Sequence, residues 1–431
     1  MPSQTVRSSA SRIPYELKAI IPAAVIILAG SLWNTAAAGA TSADPGASML
    51  SLSGFGTLGL VHSSEDNADF TANLLQPNGA GYTHSWSPDV DSRLGAQVIA
   101  HFTPQLSAML QVISEQSYDN TYQPHVEWAN IAYQPTPEFS VRVGRIVLPT
   151  FLLSDSRKVG FANPWVRPPV EVYGLSPVFD SDGADASYKL QLGDIVNTLV
   201  GTYGKTRFGV PPSGTLEARH LWVLADTIEY GQLTLHLAYQ SSTYTYDALD
   251  ALFDALRQFG PQGTALADKY DLDNKRAQLI TAGAMYDPGN WFVTGEWGRR
   301  NLHSAFGEDT AWYLSGGYRL TKFTPYLTYT ETKADSNTSD PGLTVSALPP
   351  YLAGPATAVN AGLNAVLAQA AVQNTISVGS RWDVMKNIDL KMQYDHIDLG
   401  KGSAGTLINL QPAFQRGGTV NLISIAIDFV W

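Results

Sequence analysis

Read back from its C-terminus, the chain alternates. Trp431, Phe429, Ile427, Ile425 and Ile423 fall on one face of an extended segment, and Asp428, Ala426, Ser424 and Leu422 fall on the other, because successive side chains of a strand point to opposite sides. One face suits an apolar solvent, and the other carries a carboxylate and a hydroxyl. Sixteen alternating segments of this kind recur, near residues 50–62, 91–102, 106–115, 125–134, 138–146, 183–192, 195–206, 217–228, 232–245, 276–286, 291–300, 310–320, 323–333, 374–384, 388–397 and 419–431. A length of about ten residues is what a tilted strand needs to cross a bilayer.

The connections add direction. Short ones, such as Thr103 Pro104 Gln105, Pro135 Thr136 Pro137, Gly193 Asp194, Glu229 Tyr230 Gly231 and Met385 Lys386 Asn387, consist of turn-forming residues. They alternate with longer segments at 63–90, 147–182, 207–216, 246–275, 334–373 and 398–418 and briefer ones at 116–124 and 301–309. Aromatic residues gather near segment ends, among them Phe102, Tyr133, Tyr239, Trp291, Phe323, Trp382 and Trp431, as a girdle at the lipid interface requires. A soluble sandwich or propeller also repeats short strands, but has no reason to alternate short and long connections. The expected fold is all-β: a transmembrane antiparallel β-barrel of about sixteen strands with short periplasmic turns and long extracellular loops.

Composition fits this picture. Charged residues make up 15% of the 431 and hydrophobic ones 44%, too little charge for disorder and too little continuous apolarity for a helical bundle in a membrane. The one continuous apolar run, 19–30, follows Arg7, Arg12 and Lys18 and precedes Ala36 Ala37 Ala38 Gly39 Ala40. That order reads as a secretory signal peptide spanning 1–40, leaving the barrel at 41–431. Its three basic and one acidic residue leave with it, so the formal charge moves from −11 to −13, which argues against a nucleic-acid partner. There are no cysteines, hence no disulfide framework, thiolate metal site or cysteine nucleophile.

Three stretches carry a resemblance to the Gram-negative porin family. They are the opening Leu52 Ser53 Gly54 Phe55 Gly56 Thr57 Leu58 Gly59 Leu60, the run Val141 Arg142 Val143 Gly144 Arg145 ahead of a long third loop, and the closing aromatic-ended strand. The family commonly ends in Phe, whereas this chain ends in Trp431. The resemblance implies a homotrimer in the outer membrane, with the loop at 116–124 reaching a neighbouring subunit. It implies a third loop folded into the lumen, and Phe429 and Trp431 as the signal read by the barrel-assembly machinery.

Strand parity turns this layout into candidate chemistry. With the apolar parity facing lipid, Arg93, Gln97, His101, Gln111, Glu115, Arg142, Thr294, Glu296, Arg300, Arg381, Asp383, Asp389, Lys391, Gln393 and Asp395 face inward. The loop 147–182 holds Asp155, Glu171, Asp180 and Asp182 beside Arg157, Lys158 and Arg167. In the family such loop carboxylates oppose a cluster of arginines. The resemblance therefore assigns Arg93, Arg142 and Arg381 to a basic wall and Asp155 and Glu171 to the opposite side of the constriction, with Lys391 a further residue of the constriction and lumen. Phe151, Phe161, Trp165 and Tyr173 of the same loop form either a track for a solute or the loop's packing against the wall, and packing is the simpler reading.

Two other loops carry helical periodicity. One is 247–259, with Leu249, Leu252, Phe253, Leu256 and Phe259 behind Asp247 as cap; the other is 358–372, with Val359, Leu363, Val366 and Leu367 on one side. Asp271 Leu272 Asp273 begins like a calcium loop but places Lys275, Arg276 and Ala282 where an oxygen ligand, the glycine and the closing Glu belong. No histidine pair has metal spacing along a strand, and no nucleophile arrangement groups Ser, His and Asp. The sequence thus points to a non-enzymatic channel without cofactor or metal, passing small hydrophilic solutes and ions by passive diffusion and contacting outer-membrane lipid. A substrate-specific channel for sugars, phosphate or aromatic acids is the alternative within this architecture; a barrel-borne enzyme or an adhesin lies outside it.

Overall fold

The computed structural model describes residues 49–431; the expected signal peptide lies outside them. The chain forms sixteen antiparallel barrel strands: β1 (Leu50–Ser63), β2 (Arg93–His101), β3 (Leu106–Glu115), β4 (His125–Tyr133), β5 (Phe139–Val147), β6 (Asp180–Leu192), β7 (Ile195–Val210), β8 (Gly214–Tyr230), β9 (Leu233–Tyr246), β10 (Lys275–Tyr286), β11 (Trp291–Leu302), β12 (Glu308–Tyr318), β13 (Phe323–Ala334), β14 (Gln373–Met385), β15 (Ile388–Leu399) and β16 (Gly418–Val430). Each pairs with its sequence neighbour, and β1 pairs with β16, so the sheet closes and leaves no edge. The short turns are tight: Gly193 and Gly231 take positive φ at 63° and 59°, a conformation that glycine adopts without steric cost.

Closure rests on small residues of β1. Gly54 and Trp431 exchange both backbone hydrogen bonds, at 3.1 and 3.0 Å, and a Cβ on Gly54 would lie 1.9 Å from the Trp431 ring. One on Gly56 would lie 2.4 Å from the Phe429 ring. The glycines of the opening motif therefore leave room on the outer wall for the two terminal aromatics, whose rings stack with centroids 6.0 Å apart.

Two loop boundaries differ from expectation. The segment 207–216 is no loop, because β7 and β8 extend into a long hairpin whose connection is only 211–213. Asp180 and Asp182 belong to β6 rather than to the third loop. Asp182 points outward, where it pairs with Arg145 at 2.8 Å, because ladder pairing across Gly144 and Gly183 runs past the end of the apolar pattern.

The third loop, 148–179, turns into the barrel and contains a 3-10 turn (Gly160–Ala162) and a single helical turn, α1 (Val170–Tyr173). Outside, α2 (Asp250–Arg257), α3 (Gly260–Tyr270) and α4 (Pro350–Leu367) pack together around Phe253, Leu256, Tyr270, Leu363, Val366 and Leu367. The apolar periodicities of both loops thus satisfy each other. Asp247 does not cap α2: its carboxylate accepts from the Thr215 amide at 2.7 Å, and Leu249 stands at the helix start without a side-chain cap.

Candidate functional site

The inward faces of β11 to β16 are lined with hydroxyls and amides, including Thr294, Ser315, Thr328, Thr330, Thr375, Ser377, Gln393 and Ser424, all buried. They are buried because the inserted loop lies on them. Leu152 donates its amide to Glu296 at 2.8 Å, and Thr150 its hydroxyl to Gln240 at 2.7 Å. Trp165 Nε1 donates to Ser315 at 2.8 Å and Thr328 at 3.1 Å. Glu171 accepts from Gln373 at 2.8 Å and Thr375 at 2.5 Å. The rings of Phe151, Trp165 and Tyr173 bury themselves against Phe292, Tyr313 and Tyr326, and Phe161 lies 4.7 Å beneath the Arg381 guanidinium. The aromatic residues of the loop therefore pack it in place and form no open track.

Ion pairs fix the loop at two further points, and hydrogen bonds from wall cations to its backbone carbonyls fix it at a third. Arg167 grips Asp91 through two nitrogens at 2.8 and 2.5 Å, donates to Ser424 at 2.8 Å and lies 3.5 Å from Asp395. On the opposite wall Lys158 reaches Glu115 at 2.6 Å and Glu127 at 2.7 Å, with Arg157 on Glu127 at 2.9 Å. At the lowest point Lys391 donates to the Gly160 carbonyl at 2.6 Å, and Arg381 to those of Phe161 at 2.5 Å and Asn163 at 3.3 Å. Asp389 lies 3.1 Å from Arg381, and Asp428 2.8 Å from Lys391. The loop thus crosses the lumen completely. It also reaches Asp428 of the closing strand, since a Cβ on Gly160 would fall 1.9 Å from that carboxylate.

This placement sorts the expected site residues. Glu171 meets an amide and a hydroxyl of β14, with no arginine opposite. Arg381 and Lys391 meet backbone carbonyls of the loop, not its carboxylates. Arg142 pairs with Asp185 of the neighbouring strand, Nε to Oδ2 at 2.9 Å. Arg93 lies across from Glu115 on β3 and donates to the Asp91 carbonyl at 3.2 Å. The principal loop-to-wall ion pairs run with the loop supplying cations and the wall anions; parity shows which side chains enter a lumen but not which will meet there. Asp155 is the exception among the loop carboxylates. It is exposed, makes no hydrogen bond or ion pair among the described residues, and lies within electrostatic reach of Arg142 and Asp185. The surrounding protein pushes its pKa up, Arg142 opposing and Asp185 adding to that shift.

Sequence reasoning missed Asp91, Glu127 and Asp185, the wall anions that hold Arg167, Lys158 and Arg142. Inward parity marks Asp91 once Arg93 is placed inward. Glu127 is hidden because an irregularity pairs Gln111 with Trp128 but Val112 with Val126, leaving Glu127 as an inserted residue beside His125. Glu115, His125 and Glu127 are, among the described residues, the group whose donor atoms come within 4.8 Å of one another, and the Lys158 ammonium already sits on both carboxylates.

A closed sixteen-stranded antiparallel barrel with lipid-facing aromatics, a polar interior and a loop drawn through it is an outer-membrane channel. The chain belongs to the Gram-negative porin family, whose sequence model matches residues 24–402. Similar solved structures include OmpF of Salmonella typhi, determined in complex with daunomycin (TM-score 0.54, 12% identity, 89% of this chain and 97% of that one). Others are the outer membrane channel DcaP of Acinetobacter baumannii (0.52, 12%, 89% and 97%) and an anion-selective porin from Comamonas acidovorans (0.51, 12%, 89% and 99%). At these identities the likeness concerns the fold. No curated protein matches the sequence.

Proposed function

We propose that the protein passes small hydrophilic solutes and ions by passive diffusion through a narrow water-filled path beside the inserted loop, and that it prefers cations. The observation that carries this reading is Asp155, the exposed and unpaired carboxylate of the loop, in a region where Arg142, Arg157 and Lys158 are engaged by Asp185, Glu115 and Glu127. In a narrow, low-dielectric passage one uncompensated charge sets the local field and hence the preferred sign. Arg93, Arg142 and Asp155 line this path, while Arg381, Lys391 and Glu171 hold the loop. Phe429 and Trp431 serve as the signal for barrel assembly, residues 1–40 as a cleaved export signal, and the working form is a homotrimer.

The test is the reversal potential of single channels in a potassium chloride gradient. Wild type should favour potassium and Asp155→Asn should move toward no preference; anion preference in the wild type, or an unchanged potential in the variant, refutes the assignment. A substrate-specific channel is favoured by one observation, the loop's contact with β1, β3, β4 and β9 to β16, which leaves little lumen free. That reading requires saturable, solute-blocked conductance, whereas simple diffusion gives conductance proportional to bulk salt.

A further inference from the structure

At the extracellular ends of β3 and β4 the Lys158 ammonium sits among three potential metal ligands. It donates to Glu115 Oε1 at 2.6 Å and to Glu127 Oε2 at 2.7 Å. His125 Nε2 lies 3.9 and 3.4 Å from those same two oxygens. The three ligand atoms thus stand within 4.8 Å of one another, around a point where the fold already holds a positive charge. A tetrahedral zinc site with bonds of about 2.0–2.1 Å spaces its donors about 3.4 Å apart. The edge between His125 and Glu127 has that length, and an inward shift of Glu115 completes the set.

Local structure explains the convergence. The irregularity in β4 leaves Glu127 as an inserted residue two positions after His125, which stands opposite Ile113, and irregularities of this kind re-aim side chains. Glu127 is also oriented from behind. Arg157 holds its other oxygen at 2.9 Å and is itself seated on the Phe179 ring, 3.9 Å from the centroid, the sort of outer contact that fixes a ligating carboxylate. The His125 side chain is 40% exposed, against 6% for Glu127, so the group opens to the pore mouth through the imidazole. A mixed imidazole and carboxylate set also sorts ions by softness. Imidazole suits zinc, copper and nickel, whereas magnesium and calcium take oxygen ligands. The competitor is a compact charge on a flexible four-carbon stem, which can swing away while the backbone stays in place.

We propose that Glu115, His125 and Glu127 bind a divalent transition-metal ion of the zinc type in competition with Lys158, with water in the fourth position. The metal and the ammonium cannot share the two carboxylate oxygens, so binding undoes one fastener of the inserted loop, three residues from Asp155. Binding itself is independent of how ions pass the channel; only its effect on ion preference rests on the Asp155 reading.

The test is calorimetric titration of tag-free protein in detergent near neutral pH with zinc chloride, and with magnesium chloride as control, alongside thermal unfolding. Wild type should bind zinc far more tightly than magnesium. His125→Gln should bind zinc at least about tenfold more weakly, and Lys158→Met, which removes the competitor, about tenfold more tightly. Saturating zinc should raise the thermal midpoint of Lys158→Met more than that of wild type, and adding His125→Gln should abolish that gain. His125→Gln keeps both carboxylates and Lys158, so it decides the matter even where Lys158→Met assembles poorly. Equal zinc affinity in wild type and His125→Gln, or weaker binding by folded Lys158→Met, overturns the proposal. So does magnesium binding that matches zinc, which would reduce the group to a non-selective acidic patch. In single channels zinc should lower potassium preference, since the freed ammonium offsets Asp155; an unmoved reversal potential with zinc bound through His125 would count against the Asp155 reading alone.

Discussion

Arg167 of the inserted loop and Asp91 ahead of β2 form a two-point ion pair with both side chains almost wholly buried, at 2.8 and 2.5 Å. Their separation in sequence is 76 residues, and the contact ties the returning limb of the loop to the wall beside the barrel seam. Removing one partner of a buried pair leaves the other charge uncompensated, at a cost of about 3–5 kcal/mol. Arg167→Ala is therefore expected to lower the thermal midpoint of the folded barrel in detergent and to raise open-channel conductance and its noise, because Asp91 and Asp395 lose their cation. Unchanged conductance noise and midpoint would show that the loop is held without this pair.

Lys158 is the corresponding fastener on the opposite wall. Lys158→Met places Glu115 and Glu127 against each other with one ammonium fewer, and a loss of about 2–4 kcal/mol is expected. Glu127→Gln added to Lys158→Met should recover part of that loss, with a coupling energy of about 1–3 kcal/mol in a double-mutant cycle read from thermal unfolding. Strict additivity would place the two side chains out of contact.

Cation preference should depend on pH through Asp155. The protein crowded around this solvent-accessible carboxylate desolvates it and raises its pKa above the usual carboxylate value, against the opposing field of Arg142. The group is charged above that raised value and neutral below it, so preference for potassium is expected at neutral pH and should fade as pH drops, beginning above the usual carboxylate midpoint of about 4. Reversal potentials measured stepwise between pH 7 and pH 3 check this; Asp155→Asn should show a flat profile over the part of the range where wild type first changes.

Gly54 and Trp431 make a prediction about assembly. A side chain at Gly54 enters the space of the indole ring, where a Cβ alone would approach to 1.9 Å. Gly54→Val is expected to slow barrel closure and increase the unfolded fraction on a heat-modifiability gel. Trp431→Ala in the same background should relieve the clash but not restore the aromatic terminus. Normal folding rates for Gly54→Val would show that the ring relocates freely.

Much of the fold was legible in the sequence for a simple reason: lipid on one side and water or polar protein on the other impose period two on every strand. That constraint marked all sixteen strands, the short turns between them and the closing role of Trp431. It failed where pairing outran the pattern, as at the β7–β8 hairpin and at Asp180 and Asp182, since ladder hydrogen bonds continue beyond the apolar zone. The site was less legible. Arg142 and Asp155, expected on facing sides of the constriction, lie within electrostatic reach of each other, but Glu171 and Arg381 were expected to face opposite charges and meet polar groups and backbone carbonyls instead. Asp428 of the closing strand lies against Gly160 of the inserted loop, a contact that strand parity does not reveal.

The sequence by itself determined that this is a membrane barrel and which residues face its lumen, because these depend on local alternation and on the order of long and short connections; the resemblance to the porin family added the expectation that the third loop enters it. Only the tertiary structure decided that the loop crosses the whole lumen, that its cations meet wall carboxylates, and that Asp155 is left unpaired. Those facts depend on contacts between residues tens to hundreds of positions apart, and inward-facing charges of both signs leave many pairings open until loop packing selects one.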